Sequence, residues 1–158
     1  MSNQNLYSAL RDAFPADLDQ IAIETDQGLC YSWRDLDRAS AMMANLFVDL
    51  GVPAHARVAV QVEKSVEALM LYLATLRAGL VFLPLNTAYQ SAEIEYFVGN
   101  AEPAVVVCSG KNFGWVSKIA FQAGTQHVFT LNEDRTGTLL DRAAVQSDRH
   151  KTVSRKAD

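Results

Sequence analysis

The chain has 158 residues, 49% of them apolar and 20% charged, with a formal net charge of −4. That size and balance describe one folded domain with a real core. They exclude a disordered chain and a polycation that seeks nucleic acid or an anionic membrane surface.

Residues 3–14 carry Leu6, Leu10 and Phe14 at helical spacing, which predicts a short first helix. Ile21-Ala22-Ile23-Glu24-Thr25 reads as a strand, Asp26-Gln27-Gly28 as a turn and Leu29-Cys30-Tyr31 as the returning strand of a small β-hairpin. Ser32 is placed to cap the next helix, with Asp35 favouring the same end. That helix runs to Leu50 and stops at Gly51; Leu36, Ala39, Met43, Phe47 and Leu50 form its buried stripe, and Asp37, Arg38, Asn45 and Asp49 its wet side.

Arg57 to Val62 is the next strand. Ser65 caps a helix ending near Ala78 and Gly79, in which Val66, Ala68–Ala74 and Leu76 leave almost no polar face. A helix apolar nearly all round is expected to be buried on most sides. Leu80 to Leu85 is a continuous apolar run, the pattern of a parallel strand covered on both faces, with Pro84 ending its ladder. Ser91 caps a third long helix over 92–99, bearing Ile94, Phe97 and Val98 and closed by Ala101-Glu102-Pro103. Ala104 to Cys108 is another buried strand, followed by a helix over 112–123, a strand from His127 to Leu131 and a short helix over 138–146.

Ser147 to Asp158 holds no large apolar residue except Val153. Unable to bury itself, it is expected to fray or to link onward. The expected organisation is one domain over 1–146 and a linker or disordered tail over 147–158. Alternating strands and helices with right-handed crossovers predict an α/β fold: a layered, mostly parallel sheet flanked by helices.

Cys30 and Cys108, with the scattered His55, His127 and His150, stand in no metal-ligand spacing. No metal site is expected, and Cys108 reads as a buried thiol rather than half of a disulfide. Met1-Ser2-Asn3-Gln4-Asn5 lacks the basic start and apolar stretch of a secretory leader, and the apolar stretch Ala68 to Leu73 is too short to span a bilayer. A cytoplasmic location is the resulting expectation.

Ligands in such folds sit beyond the carboxyl ends of strands. Glu63-Lys64-Ser65 and Asn86-Thr87-Ala88-Tyr89 occupy such positions. Lys64 is a candidate phosphate ligand, and Ser65 opens a helix whose dipole favours an anion. The plainer reading, a surface lysine beside a capping serine, weighs more. Asn86 is a candidate to orient a ligand, though asparagine after a strand is more often a turn former, and Tyr89 reads first as packing. Gly-x-Gly-x-x-Gly and the Walker lysine loop are both absent, Gly110 and Gly114 around Lys111 are a weak signal, and no catalytic set is legible.

Glu63-Lys64-Ser65-Val66-Glu67-Ala68-Leu69, then Leu71–Thr75 and Arg77-Ala78-Gly79, then Leu83-Pro84-Leu85-Asn86-Thr87-Ala88-Tyr89 and Ala101-Glu102-Pro103 together resemble the N-terminal region of the AMP-forming acyl-CoA synthetases. Within that adenylate-forming superfamily they are most similar to the malonyl-CoA synthetases. Ile21–Thr25, Tyr31-Ser32 and Arg57-Val58-Ala59 agree, so the resemblance covers nearly the whole chain. It implies that Arg155–Asp158 lies just before the family's phosphate loop, and that the adenine, ribose and catalytic-lysine motifs lie outside these residues.

The implied full-length reaction joins ATP and a carboxylate into an acyl-adenylate, which coenzyme A thiol then attacks, with Mg²⁺ offsetting phosphate charge. The resemblance carries no catalytic residue to a numbered position. ATP, Mg²⁺ and coenzyme A are thus expected for the complete enzyme and not retained by this chain, which is expected to be inactive alone. Its expected partner is the remainder of the synthetase, in cis or as a separate chain, with self-association through an exposed apolar patch. A stand-alone interaction module of the same fold remains the alternative. An independent nucleotide binder is weaker, because the glycine fingerprint is absent.

Overall fold

The computed structural model describes residues 3–156. Met1, Ser2, Ala157 and Asp158, the ends of the N-terminal segment and of the tail read above, lie outside the described residues. The elements in chain order are α1 (Leu6–Asp12), β1 (Ile21–Glu24), β2 (Cys30–Ser32), α2 (Trp33–Asp49), β3 (Arg57–Gln61), α3 (Val66–Arg77), β4 (Val81–Pro84), α4 (Ser91–Ala101), β5 (Val105–Cys108), a 3₁₀ turn (Gly110–Asn112), α5 (Phe113–Gln122), β6 (His127–Thr130) and α6 (Thr138–Ala143).

β1 and β2 form the expected antiparallel hairpin, and β4-β3-β5-β6 is a parallel sheet in that order. Successive strand residues point to opposite faces. Val58, Val60, Phe82, Val105, Val107 and Phe129 therefore pack with α2 and α3, whereas Ala59, Leu83, Leu85, Val106, Cys108 and Val128 pack with α4 and α5. This is a three-layer arrangement with an apolar cluster on each side of the sheet. Burial raises the Cys108 thiol to about 12, so it sits there as an inert apolar side chain.

Local signals set the helix ends. Ser32 Oγ accepts the Asp35 amide at 3.1 Å and the Asp35 carboxylate accepts the Ser32 amide at 2.8 Å, a reciprocal cap. Ser65 Oγ accepts the Ala68 amide at 3.1 Å. α4 begins one residue earlier than its expected cap: Gln90 is the N-cap, Ser91 is inside the helix, and Glu93 accepts the Gln90 amide at 3.0 Å. Glu102, in the left-handed region at φ 45°, ends α4 before Pro103.

The buried residue of α1 is Tyr7, while Leu6 and Leu10 are 49% and 37% exposed. A phenol reaches polar partners beneath the helix that leucines cannot use. Asp37 is not on a wet face: it accepts Tyr7 Oη at 2.8 Å and pairs with Arg77 and Arg11, each at 3.2 Å. β4 packs on both faces, Phe82 into one apolar cluster and Leu83 into the other, but it is an edge strand, with Val81 39% exposed.

Residues 147–156 have no regular secondary structure and run along α2 and α3. Hydrogen bonds hold them where apolar burial does not. Arg77 donates to His150 O from Nη2 at 2.6 Å, the Val153 amide to Arg77 O at 3.0 Å, and Asn45 Nδ2 to Ser147 O and Arg149 O at 2.8 and 2.9 Å. Val153 then lies against Gly79, where an added Cβ would meet Val153 Cγ1 at 2.9 Å and where φ is +73°.

Arg77 is the centre of this arrangement. It is 7% exposed, stacks on the Tyr7 ring at 4.8 Å, and directs Nη1 at Asp37 O, Ser40 Oγ and Tyr7 Oη at 2.8, 3.1 and 3.1 Å. Burial raises the Tyr7 phenol to about 12, so it remains a neutral donor to Asp37.

Replacing Arg77 with Met leaves the Asp37 carboxylate half-buried with only Arg11 as a cation. We expect a loss of about 2–3 kcal/mol, below the roughly 3–5 kcal/mol for breaking a fully buried pair because Arg11 remains. A urea titration reads it, together with faster proteolysis of residues 147–156; an unchanged midpoint would contradict the network's role. Burial, and then the nearby Arg77 charge, lower the His150 pKa below 6.5. An unfolded tail therefore binds the proton more tightly, and docking is favoured above pH 6.5 and weakened as pH falls below it. Proteolysis of the tail should accelerate below that pH in the native chain and lose the dependence in His150→Gln.

Candidate functional site

The sheet grows from β3 outward to β4 on one side and to β5 and β6 on the other. The order therefore reverses between β3 and β5, and a crevice opens beyond their carboxyl ends. Four loops gather there: 62–65 after β3, 85–90 after β4, 109–112 after β5 and 131–137 after β6.

Gln61, the last residue of β3 and the register partner of Cys108, is 2% exposed. Its Nε2 donates to Asn86 O at 3.0 Å and Tyr89 O at 3.1 Å, which fixes the loop after β4. Its Oε1 and the Oγ of Ser109 are buried without a hydrogen-bond partner among the described residues. Buried polar groups are ordinarily satisfied, so these two acceptors mark the crevice as chemically distinct from the core. Neither residue stood out in the sequence. The available signal was a lone amide side chain inside the run Val58-Ala59-Val60-Gln61-Val62.

The four candidate residues divide by what they touch. Ser65 uses its hydroxyl as a cap. Asn86 Oδ1 accepts the Ala88 amide at 2.9 Å, the turn-forming role. Tyr89 stacks on Phe97 with centroids 5.2 Å apart. Lys64 is exposed and has no ion-pair partner among the described residues. The fold does not collect them at one point: Lys64 and Ser65 line a different depression from the Gln61–Asn86–Tyr89 contact.

That depression is a half-open groove of about 580 Å³ between the hairpin turn, the start of α3 and the loop after β6. Asp26, Glu67, Glu133 and Asp134 contribute four carboxylates to its lining, against the two cations of Lys64 and Arg135. Tyr31 Oη donates to Glu67 Oε1 at 2.7 Å, and burial together with that carboxylate raises the Tyr31 pKa. An adjoining groove of about 310 Å³ has Glu63, Glu133 and Asp134 against Lys111 alone. Carboxylates outnumber cations in both, a charge balance that disfavours a nucleoside triphosphate. Among the described residues no group of three or more His, Cys, Asp or Glu side chains is placed to hold a metal ion, and no helix is long and apolar enough to cross a membrane.

The sequence and the fold match known proteins. The AMP-binding enzyme family matches residues 11–158. ATP-bound MatB from Rhodopseudomonas palustris superposes with a TM-score of 0.94 at 44% identity, over 99% of this chain and 31% of that chain. The medium-chain fatty-acid–CoA ligase of Escherichia coli is 30% identical over 84 residues, 53% of this chain and 15% of the ligase. Malpinin synthetase of Mortierella alpina is 40% identical over 82 residues, 52% of this chain and 1% of that synthetase. The chain thus spans only a minor part of each of these relatives. With its parallel sheet, its hairpin and a family match over nearly its full length, the chain belongs to the AMP-binding enzyme family, as a partial N-terminal α/β unit related to the acyl-CoA synthetases.

Proposed function

We propose that this chain is the N-terminal scaffold of an ATP-dependent acid–thiol ligase of the malonyl-CoA synthetase kind, and that it is catalytically silent by itself. The observation that carries the reading is the 44% identity with R. palustris MatB along 99% of this chain, combined with its 31% share of that chain. In the complete enzyme, ATP and Mg²⁺ would activate a small carboxylate as its adenylate and coenzyme A would take the acyl group. The sheet and its loops would hold the reacting half in place. The remainder of the synthetase is the partner in cis, and the cytoplasm is the compartment.

The physical support for silence is electrostatic. Adenylation needs preorganised cations and amides around a triphosphate. Both grooves at the carboxyl end of this sheet carry an excess of carboxylates. Of the four candidate residues, Ser65, Asn86 and Tyr89 already serve as cap, turn former and packing surface. Lys64 has no ion-pair partner among the described residues, but it stands among acids.

Isothermal titration of the purified chain with ATP·Mg and, separately, with coenzyme A tests this. We expect Kd values weaker than about 1 mM, equivalent to less than about 4 kcal/mol of binding. Micromolar binding of either ligand would overturn the proposal that the cofactor sites lie outside these residues.

A further inference from the structure

Gln61 is the one polar side chain in the run Val58-Ala59-Val60-Gln61-Val62. By strand alternation it shares a face with Ala59. Its register partner Cys108, with Ala59, Leu85 and Val106, belongs to the apolar cluster on that face. Gln61 is 2% exposed there, and its Oε1 is buried without a hydrogen-bond partner among the described residues. A buried acceptor left unpaired is destabilising. Methionine is unbranched, has nearly the same length and carries no such acceptor, so it would serve the sheet better. The core does not need this amide; the neighbouring loop uses it.

The acceptors around Gln61 fix the orientation of its amide. Both N–H groups of Nε2 are taken, one by Asn86 O at 3.0 Å and one by Tyr89 O at 3.1 Å. These carbonyls are the first and last of a four-residue turn, which the Tyr89 amide closes on Asn86 O at 3.0 Å. Asn86 Oδ1 accepts the Ala88 amide at 2.9 Å, and the Leu85 amide ties the foot of the loop to Val60 O at 2.8 Å. Thr87 and Ala88, the two central residues, are left exposed. One carboxamide thus holds both ends of the turn onto β3, and the turn is a wall of the crevice in which ligands of such folds sit.

We propose that Gln61 is a positioning residue for the ligase reaction: it holds the Asn86–Tyr89 turn in the orientation in which that wall meets a bound substrate, and it touches no substrate itself. This rests on the reading of the chain as part of a ligase. The donating half of the amide carries the role. Glutamate at this position keeps the shape and an acceptor but sets an oxygen against two carbonyls. Methionine keeps the packing but offers no donor. Both release the turn; only methionine spares the core.

The test uses R. palustris MatB in which this chain replaces the segment it matches, with its Gln61→Met and Gln61→Glu variants. Urea midpoints report the fold and amide hydrogen exchange reports the turn. Initial rates of thioester formation give kcat and the KM of ATP, malonate and coenzyme A in turn. For Gln61→Met we expect a midpoint no lower than the parent's and a Tyr89 amide that exchanges about 10-fold faster beside unchanged β3 amides. The KM of one of the three substrates should rise about 10-fold while the other two stay within about 2-fold. Gln61→Glu should raise the same KM. Parental kinetics with parental Tyr89 exchange in Gln61→Met would overturn the proposal. So would a lowered midpoint with a loss of rate spread equally over all three substrates, the mark of a purely structural side chain. A parental set of KM values in Gln61→Glu would give the role to the acceptor and overturn it too. A parent fusion that folds but forms no thioester sinks the ligase reading alone; unchanged Tyr89 exchange in Gln61→Met then sinks the positioning role as well, and faster exchange keeps the turn's anchor at Gln61. If the fusion does not fold, the same amides are read in the 158-residue chain itself.

Discussion

A parallel sheet is stable only when both faces and both edges are dealt with, and the rest of this molecule follows from that demand. α2 and α3 cover one face and α4 and α5 the other, and each pair brings the stripe that its sequence spacing requires. The β6 edge is closed by the start of α6, at the cost of a glycine that has no room for a side chain. Only the β4 edge is left. The same ordering that places β3 between β4 and β5 also opens the crevice at the carboxyl ends, so the face-and-edge requirement and the location of the loops have one origin.

The second organising element is polar. Arg77 joins α1, α2 and the tail by contacts with Tyr7, Asp37, Ser40 and His150, and it buries its charge against a carboxylate and an aromatic face. Removing one partner of such a pair leaves a buried charge uncompensated, so the pair holds these elements to one arrangement. It explains why a tail with almost no apolar content has a defined path. The tail is positioned by carbonyls and amides, which every residue carries and which no composition-based reading detects.

The layers were legible in the sequence because they rest on short-range signals. Ser32 with Asp35, the apolar strands and the stops at Gly51 and Gly79 act within a few residues of themselves, and the structure keeps them. Asp37, Tyr7 and Arg77 were not legible, because their roles depend on partners 30 and 40 positions away. The apolar run of β4 marks a strand packed on both faces, but composition does not tell an interior strand from an edge strand. At the candidate site, Ser65, Asn86 and Tyr89 serve the plain roles that their residue types favour. Gln61 and Ser109 were missed because an orphaned acceptor is defined by its surroundings, not by its own identity.

These strands and helices form a layered support whose carboxyl-end grooves carry more carboxylates than cations, and the proposed account has the chemistry supplied from beyond it. Malonate-dependent release of pyrophosphate from ATP·Mg by the purified 158-residue chain tests this most directly. The account predicts a rate indistinguishable from that of a protein-free blank, with or without coenzyme A. Release that rises in proportion to the concentration of the chain would contradict it.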